Sequence, residues 1–235
     1  KRVFMGMGTN STTNVRQADI WEFNPTTGVW TQRANFPGTG REGAVAFTVG
    51  DAAYVGMGTE TGGVRKKDLW RYVPATNTWT QRADIGGVAR SNAVAFSIGT
   101  FGYVATGSGA SGRLNDAWRY DPASNQWTQR ANFPGAARTE ACAFAINSFG
   151  YVGLGSTTGG LASDLYRFDP AGNAWAAMSA LPAAGRRLSV AFAINNIGYV
   201  VGGNNPSLTA EVWAYDPGIN SWSQTINAPQ PVAEH

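Results

Sequence analysis

The stretch GYVGLGSTTGGLASDLYRFDPAGNAWAAMSALPAAGRRLSVAFAIN, residues 150–195, is one unit of a pattern that the chain repeats about five times. It runs from a glycine-rich strand end through a polar loop to an acid two residues before an aromatic. A proline-led turn, a tryptophan and an arginine ahead of a small apolar run complete it. The first aromatic falls at Trp21, Trp70, Trp118, Tyr166 and Trp213, in steps of 49, 48, 48 and 47 residues. The second follows nine residues later each time, at Trp30, Trp79, Trp127, Trp175 and Trp222. All nine tryptophans thus occupy recurring scaffold positions, whereas a binding platform would stand out of phase. A fixed period of about 40–50 residues built from short strands is the signature of propeller blades.

Each unit predicts four strands. In the third they are the apolar pieces near 93–98 and 102–106, then DAWRYD at 116–121 and QWTQRA at 126–131. Pro25, Pro74, Pro122, Pro170 or Pro217 opens the connection between the last two strands. Three residues on stands Gly28, Asn77, Asn125, Asn173 or Asn220. Proline presets φ at the turn entry, and glycine or asparagine tolerates the left-handed conformation that reverses the chain. No stretch carries a helical period. The first strands AVAFTV, AVAFSI, ACAFAI and SVAFAI alternate small and larger residues, as expected where sheets converge on a narrow channel. The aromatics belong farther out, where each buries roughly 150–250 Å², worth about 4–6 kcal/mol gross as an upper bound.

These units resemble kelch repeats, with a glycine doublet or near-doublet ending the second strand and two aromatics at fixed spacing. The doublet is Gly202-Gly203 in the last unit, with GMG, GMG, GSG and GLG in the others. The resemblance covers essentially all 235 residues, and the wording WTQRANFPG is similar to kelch arrays of secreted bacterial proteins. It implies an all-β, kelch-type β-propeller that presents loops for binding. One domain over residues 1–235 is expected, with units near 1–42, 43–91, 92–139, 140–187 and 188–235. The expected architecture is five four-stranded blades, with the innermost strand of blade one missing from the chain. Lys1 aligns with Ser148 in the turn after a first strand, and His235 aligns with Glu140 just before one. Two explanations stand open: a longer parent propeller, or a strand beyond His235 that closes the ring by pairing with blade one. An open strand position invites strand exchange or oligomerisation.

Composition narrows the function. The formal charge of +3 and pI of about 9.2 come from fifteen arginines against three lysines. Most of these arginines are repeat positions rather than one gathered patch, so nucleic acid is not an expected partner. No apolar run approaches 18 residues, so no membrane span is expected. Cys142 is the sole cysteine; it excludes an intrachain disulfide and is expected to be a small buried hydrophobe. Asn10-Ser11-Thr12 matches the glycosylation sequon. Few lysines and many Thr, Asn and Gly lean toward an exported, extracellular or cell-surface bacterial protein. With His235 the only histidine, histidine-based metal sites and triads have no material, and no metal or cofactor is expected. GSGASG, Gly107–Gly112, fits G-x-G-x-x-G but precedes a strand, so the dinucleotide reading fails.

Asp19, Asp68, Asp116, Asp164 and Glu211 recur two residues before the first aromatic and read as structural acids that open a strand. Arg41, Arg90, Arg138 and Arg186 each lie three residues before an inner strand and are expected to share one rim of the channel. The loops of that face add Arg16, Arg65, Lys66, Lys67 and Arg113, with Arg187 beside Arg186. Glu60, Asn204 and Asn205 also break the repeat there, whereas Ala233 stands where a fifth rim arginine would fall. Guanidinium groups suit a carboxylate or phosphate. The expectation is a non-catalytic module that holds an acidic peptide or acidic glycan. Three other readings stay open: rim arginines serving only the framework, a sugar-acid mutarotase-like enzyme using Glu42 or Glu140 as acid/base, and a structural or engineered scaffold without a ligand.

Overall fold

The structure, a computed structural model, describes residues 2–233; the expectations attached to Lys1 and His235 lie outside the described residues. In the second unit the strands Val45–Val49, Ala52–Gly56, Leu69–Val73 and Thr78–Arg82 pair antiparallel in chain order. The third unit repeats this with Val94–Ile98, Phe101–Ala105, Ala117–Asp121 and Gln126–Arg130. Cys142–Ile146, Phe149–Gly153, Leu165–Asp169 and Ala174–Met178 form the next sheet. Val190–Ile194, Ile197–Val201, Val212–Asp216 and Ser221–Gln224 form the last. We call these sheets blades two to five. Blade one has three strands, Val3–Gly6, Ile20–Asn24 and Val29–Arg33. No described residue is helical, so no helix is long and apolar enough to cross a membrane.

The alternation read from the inner strands sorts their residues between two environments. Ala46, Ala95, Ala143 and Ala191 line the narrow central channel. Phe47, Phe96 and Phe144 turn the other way, into the gap before the next blade, and lie against Gly102, Gly150 and Gly198. A Cβ at any of these glycines would come within 2.0–2.3 Å of the phenyl ring, so only glycine fits. Cys142 is buried in this layer, as expected.

The tryptophans play a different part from simple bulk. At each junction one residue is clasped on both its backbone groups. The N–H of Ala34, Ala83, Ala131 or Ser179 donates to the side-chain oxygen of Asn77, Asn125, Asn173 or Asn220 in the next blade, at 2.9 Å. The carbonyl of the same residue accepts from the indole of Trp79, Trp127, Trp175 or Trp222, at 2.8–2.9 Å. These indoles are only partly buried. The fully enclosed bulk comes from Tyr72, Tyr120, Phe133, Phe168 and Tyr215.

One register differs from the sequence reading. Ala105 sits opposite Ala117 as Gly153 sits opposite Leu165, so Ala105-Thr106-Gly107 is the counterpart of GLG, not the GSG two residues on.

Candidate functional site

The four rim arginines are internal. Arg90 is fully buried; its Nη1 donates to the Thr106 carbonyl at 3.1 Å and to Asp116 Oδ1 at 2.7 Å, its Nη2 to Asp116 Oδ2 at 2.6 Å, and its Nε to the Val88 carbonyl at 3.3 Å. Four of the five guanidinium N–H groups are therefore used. Arg41 with Asp68, Arg138 with Asp164 and Arg186 with Glu211 repeat the arrangement. Arg41 and Arg138 also lie over the rings of Phe36 and Phe133, at 4.6 and 4.5 Å. The recurring arginines and the recurring acids are thus one set of ties, each spanning 25–27 residues inside a blade.

The acids of these ties carry a second donor, the indole of Trp70, Trp118 or Trp213. Burial pushes the Asp116 carboxyl up, but the hydrogen bonds and charge of Arg90, with the Trp118 indole, outweigh it and leave the pKa below the usual range. The Trp213 indole, then Arg186, hold Glu211 low in the same way. Asp19 is held by the indole of Trp21 at 2.7 Å.

Outside this ring lies a layer of short hairpin arms. Arg16, Arg65 and Arg113 occupy equivalent places, opposite Thr9, Thr59 and Ser108; Leu161 and Leu208 take the same place in the last two units. Each arginine reaches forward to the next unit. Arg16 meets the Glu42 carboxylate and the Glu60 carbonyl. Arg65 meets only the Ser108 hydroxyl, at 3.3 Å, and Arg113 only the Ser156 hydroxyl, at 3.0 Å. Neither forms an ion pair among the described residues, and the Nε of Arg65 is buried without a hydrogen-bond partner.

The other predicted residues divide. Lys66 pairs with Glu60 at 3.2 Å, and Lys67 reaches Asp84 at 3.8 Å. Arg187 pairs with Glu140 at 3.0 Å and bridges through its backbone to Asn204, so these three come together. Glu42 is held low by the Arg16 hydrogen bond, then by Thr9, and stays a carboxylate.

Sequence reasoning missed a ring at the channel mouth. Gly43, Asn92, Glu140 and Leu188 share one repeat position and all adopt left-handed backbone, with φ of 51–59°. The Asn92 N–H donates to the Gly43 carbonyl, Glu140 to Asn92, and Leu188 to Glu140, at 2.8–3.1 Å, so a hoop of backbone bonds links blades two to five. Glycine and asparagine carry a sequence signal for this conformation; glutamate and leucine carry none. The four residues face a cavity of about 660 Å³ that runs along the open edge of Val3–Gly6, past Phe4, Met5 and Phe47. Among the described residues no cluster of potential ligands could hold a metal ion.

A family profile described as the Kelch motif matches residues 89–134, from the end of the second repeat through most of the third. The fold is similar to a solved structure titled "Structure of YjhT", with a TM-score of 0.81 and 17% sequence identity over 99% of this chain and 82% of that one. No curated protein matches the chain.

Proposed function

The chain is a kelch-repeat protein with a propeller fold, and from that premise we propose that it is a non-catalytic binding module whose hairpin-arm face holds an acidic peptide or acidic glycan. The observation that carries this reading is the pair Arg65 and Arg113. They stand at equivalent places in neighbouring blades, each hydrogen-bonded to one serine hydroxyl and neither facing a carboxylate. A guanidinium in that state keeps donors for a bidentate carboxylate or sulfate. Arg187, Lys66, Lys67 and Asn204 extend the same face, while Arg41, Arg90, Arg138 and Arg186 brace it from below.

Titration calorimetry with a polyglutamate peptide and with an oligogalacturonate tests this. Binding by the native chain that the double variant Arg65→Ala, Arg113→Ala weakens at least tenfold, with unchanged melting, is the expected result. No binding of either probe, or equal binding by the variant, would reject the arm face as the site.

A second reading rests on Glu140. It is the one acid on the hoop, it faces the cavity, and Arg187 holds its carboxylate. A sugar-acid mutarotase would use that pair as acid/base and carboxylate anchor. Faster anomer exchange of a sugar acid with the native chain, lost with Glu140→Gln, would select the enzyme; exchange at the uncatalysed rate would remove it.

A further inference from the structure

We infer that the gap between blades three and four binds a phosphoryl group, gripped by Arg119 and Arg130. The strand register brings the two arginines together. Arg119 sits opposite Thr128 and Arg130 opposite Ala117, so they are diagonal neighbours on one face of blade three. That face turns toward blade four: Tyr103, opposite Arg119, meets Phe168 at 5.7 Å between ring centroids. Burial pushes the Tyr103 hydroxyl up and the charges of Arg119 and Arg130 act against it, so both cations lie beside this ring. The place is separate from the arm face. Phe101 follows the turn between the first two strands and Pro170 opens the last hairpin turn of blade four, both at the end of the sheets away from the arms.

Blade one shows what this pair of places does when the charges match. Glu22 stands where Arg119 does, opposite Thr31, and Arg33 stands where Arg130 does, opposite Ile20. There the carboxylate and the guanidinium meet at 2.7 Å. Blade three has a cation at both places, and neither forms an ion pair among the described residues. Arg119 makes no side-chain hydrogen bond among them either; its guanidinium lies over the Phe101 ring at 4.4 Å, a contact that fixes it without using a donor. Arg130 spends Nη2 on the Pro170 carbonyl at 2.9 Å. The Nε groups of both are buried without a hydrogen-bond partner. Asp121, the acid that feels the charge of Arg119, is turned to the Ala123 N–H and the Ser124 hydroxyl, both at 2.9 Å.

The neighbouring gaps lack one or another of these features. Between blades two and three, the Tyr120 hydroxyl accepts from Arg82 Nε at 3.0 Å and the Pro122 carbonyl from its Nη2 at 3.1 Å. Ala52 stands there in the place of Phe101. Between blades four and five, Met178 replaces Arg130. Two guanidinium groups that share no acid call for two negative charges on one ligand. A carboxylate carries one. A phosphate monoester carries about 1.5 to 2 at neutral pH, with three acceptor oxygens that can meet both forks at once.

Titration calorimetry of the 235-residue chain at fixed ionic strength, with phenyl phosphate, inorganic phosphate and benzoate as probes, tests the site. The native chain should bind phenyl phosphate, and benzoate at least tenfold more weakly. Arg119→Ala and Arg130→Met introduce residues that blades five and four already carry at these places, Ala214 and Met178. Each should weaken phenyl phosphate at least tenfold. Arg119 makes no hydrogen bond, so its variant should melt with the native chain and report even where Arg130→Met unfolds. Arg71→Ala removes the same charge from the preceding gap and should leave the affinity within twofold. Inorganic phosphate bound as tightly as the ester would assign the site to the free anion, and a preference for the ester to a phosphorylated ligand. No binding of either phosphate, equal binding of benzoate, or an equal loss in Arg71→Ala would overturn the proposal. Binding that survives in both Arg119→Ala and Arg130→Met would place the anion elsewhere, the arm face included, and overturn it too.

Discussion

Two sets of arginine recur along this chain, and they differ in everything except residue type. Arg41, Arg90, Arg138 and Arg186 are at most 3% exposed and tie an acid, a carbonyl and a loop inside their own blade. Arg65 and Arg113 lie on the outer arms, each next to the residue (Lys66 or Leu114) whose carbonyl accepts from the Arg90 or Arg138 N–H, and touch single serine hydroxyls. Recurrence with an equally recurrent acid marks a structural tie. Recurrence that fades into leucine, as at Leu161 and Leu208, marks a position released from that duty.

The sharpest way to break this contrast is to truncate one member of each set. Arg90→Ala should lower unfolding free energy by about 3–5 kcal/mol, because it strands the partly buried Asp116 and two carbonyls. Arg113→Ala should stay within about 0.5 kcal/mol, as an exposed side chain with one weak bond. Denaturant titrations of the two variants check this, and equal losses would dissolve the distinction.

Acid probes the buried set, together with the Arg16–Glu42 pair of the arms. Asp116 and Glu211 are held below their usual 3.8 and 4.5. A carboxyl whose pKa is lower folded than unfolded contributes fully above the unfolded value and loses that contribution as pH falls through the folded one. The melting temperature should therefore fall as pH drops below about 4, and the drop should flatten in Asp116→Asn. A profile identical to the native one would mean that the ties do not depend on charge.

A third arginine position gives a smaller effect than Arg90, and of opposite sign. Arg82 donates its Nε to the Tyr120 hydroxyl at 3.0 Å, and that hydroxyl donates to Asn125 at 2.8 Å. One blade on, Phe168 replaces the tyrosine, and the Nε of Arg130 is buried without a partner. Phe168→Tyr restores the acceptor in a site where Tyr72, Tyr120 and Tyr215 already fit. It should add about 0.5–1.5 kcal/mol, read by the same titration. No gain in stability would show that the orphaned group is satisfied by solvent.

Much of the fold was legible because its signals are local. The proline and asparagine of each hairpin, the alternation in VAFSI and the fixed nine-residue gap between aromatics each declare their own strand or turn. The site was less so. The arginine ring and the acid ring were both visible as repeats, but their union spans 26 residues in Arg90 and Asp116, across two blade strands and a hairpin arm. Only the register shows that Val3 occupies the place that Gly102, Gly150 and Gly198 hold in blades three to five. Glu140 and Leu188 hide their left-handed backbone behind side chains that usually avoid it.

The hoop at the channel mouth joins blades through main-chain atoms alone, so its links accept different side chains at Asn92, Glu140 and Leu188. Glycine, asparagine, glutamate and leucine already coexist on it with the same bonds. A lineage could vary the side chains at Asn92, Glu140 and Leu188 and leave these bonds between blades in place. The chemistry displayed there is free to drift while the architecture stays put.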